Sequence, residues 1–135
     1  MRYLVDTSAL VRILRQQADP RWTESVVAGH VALCEPVLTE TLTIANARLH
    51  DRVETELREA YPWVPVVDDV WSMVAAVRRD LAAQSQHQGL SVADYLVLVT
   101  AIKLKLVVLH EDADFETAAR VIPQLHEQRL SGSTP

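Results

Sequence analysis

A single cysteine, Cys34, stands in the whole chain, so no internal disulfide can form and packing must hold the fold. Cys34 lies in an apolar stretch, which suits a core thiol in a reducing, cytoplasmic setting. Long hydrophobic runs are missing too. The longest, over residues 95–102, is far below the ~20 residues that a membrane-spanning helix needs. The first residues show no basic region, long apolar stretch or small-residue cleavage site, so no secretory signal is expected. Positive charge is scarce: 13 Lys and Arg against 18 Asp and Glu leave a net charge of −5. That argues against nucleic-acid binding through a broad basic field. The objection weakens if several acids share one site with divalent cations, which would bring the liganded chain close to neutral. Histidines and cysteines at zinc spacing are absent, as are internal repeats and low-complexity linkers.

What is there is ordinary globular material. With 135 residues, 49% of them hydrophobic and 23% charged, the chain fits one domain with a real core. Residues 3–5 form a short apolar run ending at Asp6, and Ser8 opens a helical pattern through residue 17. Pro20 suits the start of a second helix that Gly29 closes. Residues 31–34 read as a strand, 36–49 and 52–60 as helices, and 63–67 as a third strand that Pro65 confines to an edge. Asp69 caps a long helix whose buried stripe is Val70, Val74, Val77 and Leu81. An almost wholly apolar helix at 91–103, a buried strand at 106–109 and a last helix at 114–121 follow, then a loose tail at 131–135. Strands alternating with helices predict an α/β domain over residues 1–130, its parallel sheet of four to five strands covered on both faces.

Four carboxylates carry the chemistry. Asp6 ends the first strand beside a helix start, at the sheet edge where open α/β folds bind ligands; Thr7 and Ser8 are better placed to cap that helix. Glu40 follows Val37 by three residues and precedes Ile44 by four, so it shares a face with apolar side chains, and an unpaired buried glutamate is costly. Asp94, in Ser91-Val92-Ala93-Asp94, fits a capping box, yet the helix behind it is too apolar to lie on the surface. Asp112 follows the 106–109 strand, and Asp114 suits the cap of the last helix. Carboxylates ~5 Å apart repel by roughly 3 kcal/mol per pair at an effective dielectric near ~20. Hard divalent cations with oxygen ligands, Mg²⁺ or Mn²⁺, are the natural compensation, and they suit phosphodiester hydrolysis.

The blocks Leu4-Val5-Asp6-Thr7-Ser8-Ala9-Leu10, Cys34-Glu35-Pro36-Val37-Leu38-Thr39-Glu40, Ser91-Val92-Ala93-Asp94-Tyr95 and His110-Glu111-Asp112-Ala113-Asp114-Phe115 resemble the motifs of PIN-domain nucleases. Chain size and spacing are similar to those of the VapC toxins of bacterial toxin–antitoxin pairs. The resemblance runs through nearly the whole chain. It implies a Rossmann-like sheet, a Mg²⁺- or Mn²⁺-dependent endoribonuclease acting on RNA, a cognate VapB antitoxin and a homodimer. It assigns metal binding and catalysis to Asp6, Glu40, Asp94 and Asp112, with Asp114 as a fifth acid. Thr7 or Ser8 matches the hydroxyl that supports the first aspartate. One departure is local: Leu98, Val99 and Thr100 stand where the family often has small residues.

Arg12, Arg15 and Lys103 are candidates for RNA contact, with Arg78, Arg79 and Lys105 beside them. His87 lies in a polar turn, and the scattered Trp22, Trp63 and Trp71 form no stacking platform for bases. Two rival readings use aspartates at a parallel sheet edge. A phosphoacceptor receiver module needs an acidic pair at the first strand and a lysine just after a late one. A haloacid-type phosphatase needs a second aspartate where Ser8 stands.

Overall fold

Tyr3–Val5 forms the first strand, β1, and its three side chains are all buried. Successive strand residues point to opposite faces, so both faces of the sheet are covered there. The computed structural model describes all 135 residues. In chain order the remaining elements are α1 (Thr7–Leu14), α2 (Pro20–Val27), β2 (Val31–Ala32), α3 (Glu35–Ile44), α4 (His50–Ala60), α5 (Val70–Ala83), α6 (Val92–Leu104), β3 (Val107–His110), α7 (Ala113–Val121) and β4 (Glu127–Arg129). The four strands lie in the order β2-β1-β3-β4, every pair parallel.

The expected α/β domain is what forms, with two corrections to its strands. The 63–67 segment contributes only an isolated parallel bridge, Leu33 to Trp63, because Pro65 offers no N–H with which to continue a ladder. The fourth strand is instead β4, whose Glu-Gln-Arg side chains are all half-buried. Such a polar triplet carries no hydrophobic alternation by which sequence could mark it as a strand.

Helix boundaries also shift. Asp6, rather than Thr7 or Ser8, is the N-cap of α1, its carboxylate accepting from the Ala9 amide. Asp112, rather than Asp114, caps α7 by accepting from the Asp114 amide. The α3 helix stops at Ile44, and a turn in which Asn46 Oδ1 accepts from the Arg48 amide precedes α4.

The core matches the predicted stripes. Val70, Val74, Val77 and Leu81 of α5 are buried, and α6 buries Tyr95 and the continuous run Val97 to Ala101. A helix apolar all round belongs inside. Cys34 is buried and free, and burial pushes its thiol pKa up to about 11, as befits an inert core residue. Trp22 is fully buried edge-on to Tyr3, ring centroids 5.2 Å apart. Its indole N–H donates to the Leu130 carbonyl at 3.0 Å. Leu130, which the sequence places beside the tail, is thus a buried residue that ties the chain after β4 to α2. No helix is long and apolar enough to cross a membrane.

Trp22→Phe keeps most of the ring but strands the Leu130 carbonyl without its donor. We expect a loss of about 2 kcal/mol in folding stability, measured by urea denaturation with an unchanged slope.

Candidate active site

The site begins with the backbone. β1 and β3 are parallel neighbours, and the Asp6 amide donates to the Leu109 carbonyl at 3.0 Å where both strands end. The two chains then turn into α1 and α7 at one sheet edge. Asp6 is 2% exposed. Its Oδ1 accepts from the Ala9 amide at 3.0 Å, and the Ser8 hydroxyl lies 2.8 and 2.9 Å from its two oxygens. The same hydroxyl accepts from the Glu111 amide at 2.8 Å. Ser8 therefore joins the end of β1 to the loop after β3. Thr7, the other hydroxyl of the motif, makes no side-chain hydrogen bond.

Asp94 enters from the first turn of α6. Its Oδ2 accepts from the Ser91 amide while Ser91 Oγ accepts from the Asp94 amide, so the capping box is real. Glu40 is half-buried in the second turn of α3. Asp112 Oδ1 accepts from the Asp114 amide at 2.9 Å.

The electrostatics show how these acids stand. Burial raises the Asp6 carboxyl to about 6, against the Ala9 and Ser8 hydrogen bonds and the nearby His110 that lower it, and the charge of Asp94 pushes it up further. The Asp94 pKa is raised by burial first, then by the charges of Asp112 and Glu40, against the hydrogen bonds from Ser91. Asp114 is raised by burial and by Asp112. Asp94 is thus the centre of the group, within electrostatic reach of Asp6, Glu40 and Asp112.

None of the five acids is in an ion pair with a lysine, arginine or histidine. All their donors are carboxylate oxygens. An uncompensated, partly desolvated, all-oxygen set fits a hard divalent cation. The carboxylates stand wider apart than a tight ligand triplet. Only His50, Asp51 and Glu54, at the start of α4, bring ligand atoms within 4.8 Å of one another, a group the sequence did not single out. Glu54 is already paired there with Arg58 at 3.0 Å.

The cationic candidates divide. Arg12 is half-buried and donates to the Ser8 carbonyl at 3.2 Å, which keeps its guanidinium over the first turn of α1. Arg15 caps the other end of α1 and borders the groove between α1, α3 and α4. Lys103 lies in the last turn of α6, nine residues beyond Asp94, or about 13 Å along the helix axis. Lys103 and Lys105 thus sit at the opposite end of the helix from the acids. That placement removes the lysine a receiver module would need. Glu111, unremarked in the sequence, accepts from Ser131 N–H and Oγ–H and from Arg129, which together hold its pKa low against burial.

A groove of about 610 Å³ opens beside Glu40, walled by Thr39, Ile44, Val66, Val92 and Leu96. A smaller one of about 280 Å³ lies between α1 and the α3–α4 connection, lined by Val11, Leu14, Leu49 and Val53.

With its folded pKa about 6 against 3.8 unfolded, Asp6 favours folding while protonated. That contribution fades as pH rises through 6, at a cost of roughly 3 kcal/mol. Asp6→Asn keeps the cap and removes the charge. In EDTA it should be more stable than the parent by about 1–3 kcal/mol at pH 8, the difference vanishing near pH ~4. Paired urea titrations at the two pH values decide it; destabilisation at pH 8 would make Asp6 a structural residue.

The PIN domain family model matches residues 3–121. Ribonuclease VapC6 of Mycobacterium tuberculosis is 38% identical over 101 residues, covering 74% of this chain and 80% of the relative. Ribonuclease VapC2 of the same species is 30% identical over 138 aligned positions, covering 99% and 96%. Among solved structures, VapBC-1 from nontypeable Haemophilus influenzae superposes with a TM-score of 0.76 at 14% identity, covering 97% of this chain and 99% of its own. FitAcB from Neisseria gonorrhoeae gives 0.75 at 21%, covering 97% and 99%. With the matched residues spanning every acid-bearing element, the chain belongs to the PIN-domain family, in its VapC branch.

Proposed function

We propose that this chain is a Mg²⁺- or Mn²⁺-dependent endoribonuclease and the toxin of a toxin–antitoxin pair. The observation that carries this reading is the group of acids around Asp94, whose charges help to raise the pKa of Asp6 and Asp94, and none of which is in an ion pair with a side chain of the chain itself. The ribonuclease names of relatives at 30–38% identity support it. Asp6, Glu40, Asp94 and Asp112 would hold the cation, with Asp114 at the margin. A divalent cation in such a place supplies Lewis-acid neutralisation of phosphoryl charge and a lower pKa for attacking water.

The chain's own residues do the rest. The Ser8 hydroxyl fixes the Asp6 carboxylate, and the capping box fixes Asp94. Arg12, whose guanidinium donates to the Ser8 carbonyl, would meet a phosphate. The buried flank of the site excludes bulk water and strengthens each charge interaction.

Two partners belong to this reading. The apolar groove between α1, α3 and α4, with Leu14, Ile44 and Leu49 at its exposed rim, suits the C-terminal segment of a VapB-type antitoxin. A basic residue on that segment would be drawn to the uncompensated carboxylates. A second copy of the chain would cover exposed apolar side chains such as Val92, 65% exposed. Solved neighbours such as VapBC-5 from Mycobacterium tuberculosis are described as members of toxin–antitoxin systems. A cytoplasmic site of action goes with this reading.

The expected reaction is cleavage of single-stranded or loop RNA with Mg²⁺ or Mn²⁺, leaving 5′-phosphate and 3′-hydroxyl ends, lost in EDTA and in Asp94→Asn. Mass spectrometry of the fragments tests it: cyclic phosphate ends, or full activity in EDTA, would sink the idea. Replacing the antitoxin's C-terminal arginines with alanine should relieve inhibition in a co-expression assay; unchanged inhibition would place the contact elsewhere.

A further inference from the structure

His110 is the last residue of β3 and is fully buried. A buried imidazole must satisfy both ring nitrogens, and this one does so in two directions. Nδ1 accepts from the Asp112 amide at 3.0 Å. Because that nitrogen supplies a lone pair, the ring proton is on Nε2, which donates to Glu127 of β4 at 2.6 Å. The ring also packs on Phe115 of α7, centroids 5.2 Å apart. The imidazole therefore cannot turn about its own axis without losing both hydrogen bonds.

The residue it grips is a member of the acid group. Asp112 caps α7 in an extended conformation, φ −138° and ψ 120°. Its amide is held by His110, and its Oδ1 is engaged by the Asp114 amide. Both constraints act on the torsions that aim the carboxylate, and Oδ2 is left outside these bonds. The charge of that carboxylate reaches Asp94.

We infer that His110, braced by Glu127, is a positioning residue that orients the Asp112 carboxylate for cation binding. This rests on the reading that the acids around Asp94 hold a divalent cation. His110 touches neither the cation nor RNA; it acts through the Asp112 backbone. Partners of this kind, one step removed from the ligands, typically change metal affinity by roughly 10–100-fold.

Two polar replacements of similar size separate the ring's two bonds. His110→Asn places an amide oxygen where Nδ1 sits and can still accept from the Asp112 amide. His110→Gln places its amide nitrogen near Nε2 and keeps only the link to Glu127. Mn²⁺ binding to the full chain, followed by electron paramagnetic resonance of free Mn²⁺, should fall no more than severalfold in His110→Asn, which keeps the Asp112 bond and loses only the brace from Glu127. It should be weaker by roughly 10–100-fold in His110→Gln. Long-range ¹H–¹⁵N spectra of the wild-type protein should show the Nε2–H tautomer.

Glu127→Ala guards against poor folding of the core variants, because it frees the ring from a partly exposed edge strand. It should weaken Mn²⁺ binding severalfold while the melting temperature in EDTA stays close to wild type. Equal affinities for the Asn and Gln variants, an Nδ1–H tautomer, or a Glu127→Ala protein that binds like wild type overturns the inference. Asp94→Asn separates this failure from a failure of the site. If Asp94→Asn binds Mn²⁺ as wild type does, the cation lies elsewhere, and both readings fall. If only Asp94→Asn weakens binding, the site stands and the positioning role of His110 falls.

Discussion

Asp6 places a carboxylate at 2% exposure where the two central strands end, and much of the surrounding edge is arranged to hold that charge. Its amide is zipped to Leu109, its Oδ1 takes the Ala9 amide, and Ser8 covers both oxygens. These bonds offset part of the burial penalty, but the carboxyl pKa still stands near 6. Nearby Asp94 makes the position costlier rather than cheaper. A buried charge without an ionic partner is rarely kept in a core unless something else meets it. In the proposed function that something is a divalent cation.

Capping and catalysis look like rival explanations for these acids, yet in the proposed function the same groups serve both. Asp6 and Asp112 are N-caps, and Asp94 is the third residue of a capping box. Capping engages an identified oxygen in each: Oδ1 of Asp6, Oδ2 of Asp94 and Oδ1 of Asp112. It orders the side chain without an ion pair, so negative charge remains available at the sheet edge. Helix N-termini also soften the repulsion, because their dipoles favour negative charge. A cluster of acids can thus fold before it is neutralised.

The edge is locked together through residues that are not themselves candidate ligands. Ser8 links the β1 end to Glu111, and Glu111 in turn holds Ser131 and Arg129. His110 links Asp112 to Glu127. Two of these chains of contact end on β4 or just beyond it, so an edge strand with no apolar pattern stiffens the site. Trp22 anchors the same segment from below through Leu130. The stretch after α7 is therefore structural support for the acid-bearing sheet edge.

How much of this the residues announce by themselves depends on range. The α/β alternation, the α5 stripe, the buried α6 and the position of Asp6 at a strand end were legible, because periodicity and end position are local properties of a chain. The identity of the caps was not, since Asp, Thr and Ser are all good caps and only backbone geometry chooses among neighbours. Pro65 and the polar triplet of β4 misled for a related reason: whether a segment pairs depends on what lies beside it. The candidate acids could be named from spacing and family likeness, and the 91–103 helix already put Lys103 at the end away from Asp94, but the grouping of the acids around Asp94 could not be read. It follows from strand order and helix direction. The residues alone determined which groups could carry charge and where the chain would turn. Only the tertiary structure decided which charges meet, because contacts between β1, α3, α6 and α7 join positions far apart in sequence, and no local pattern encodes them.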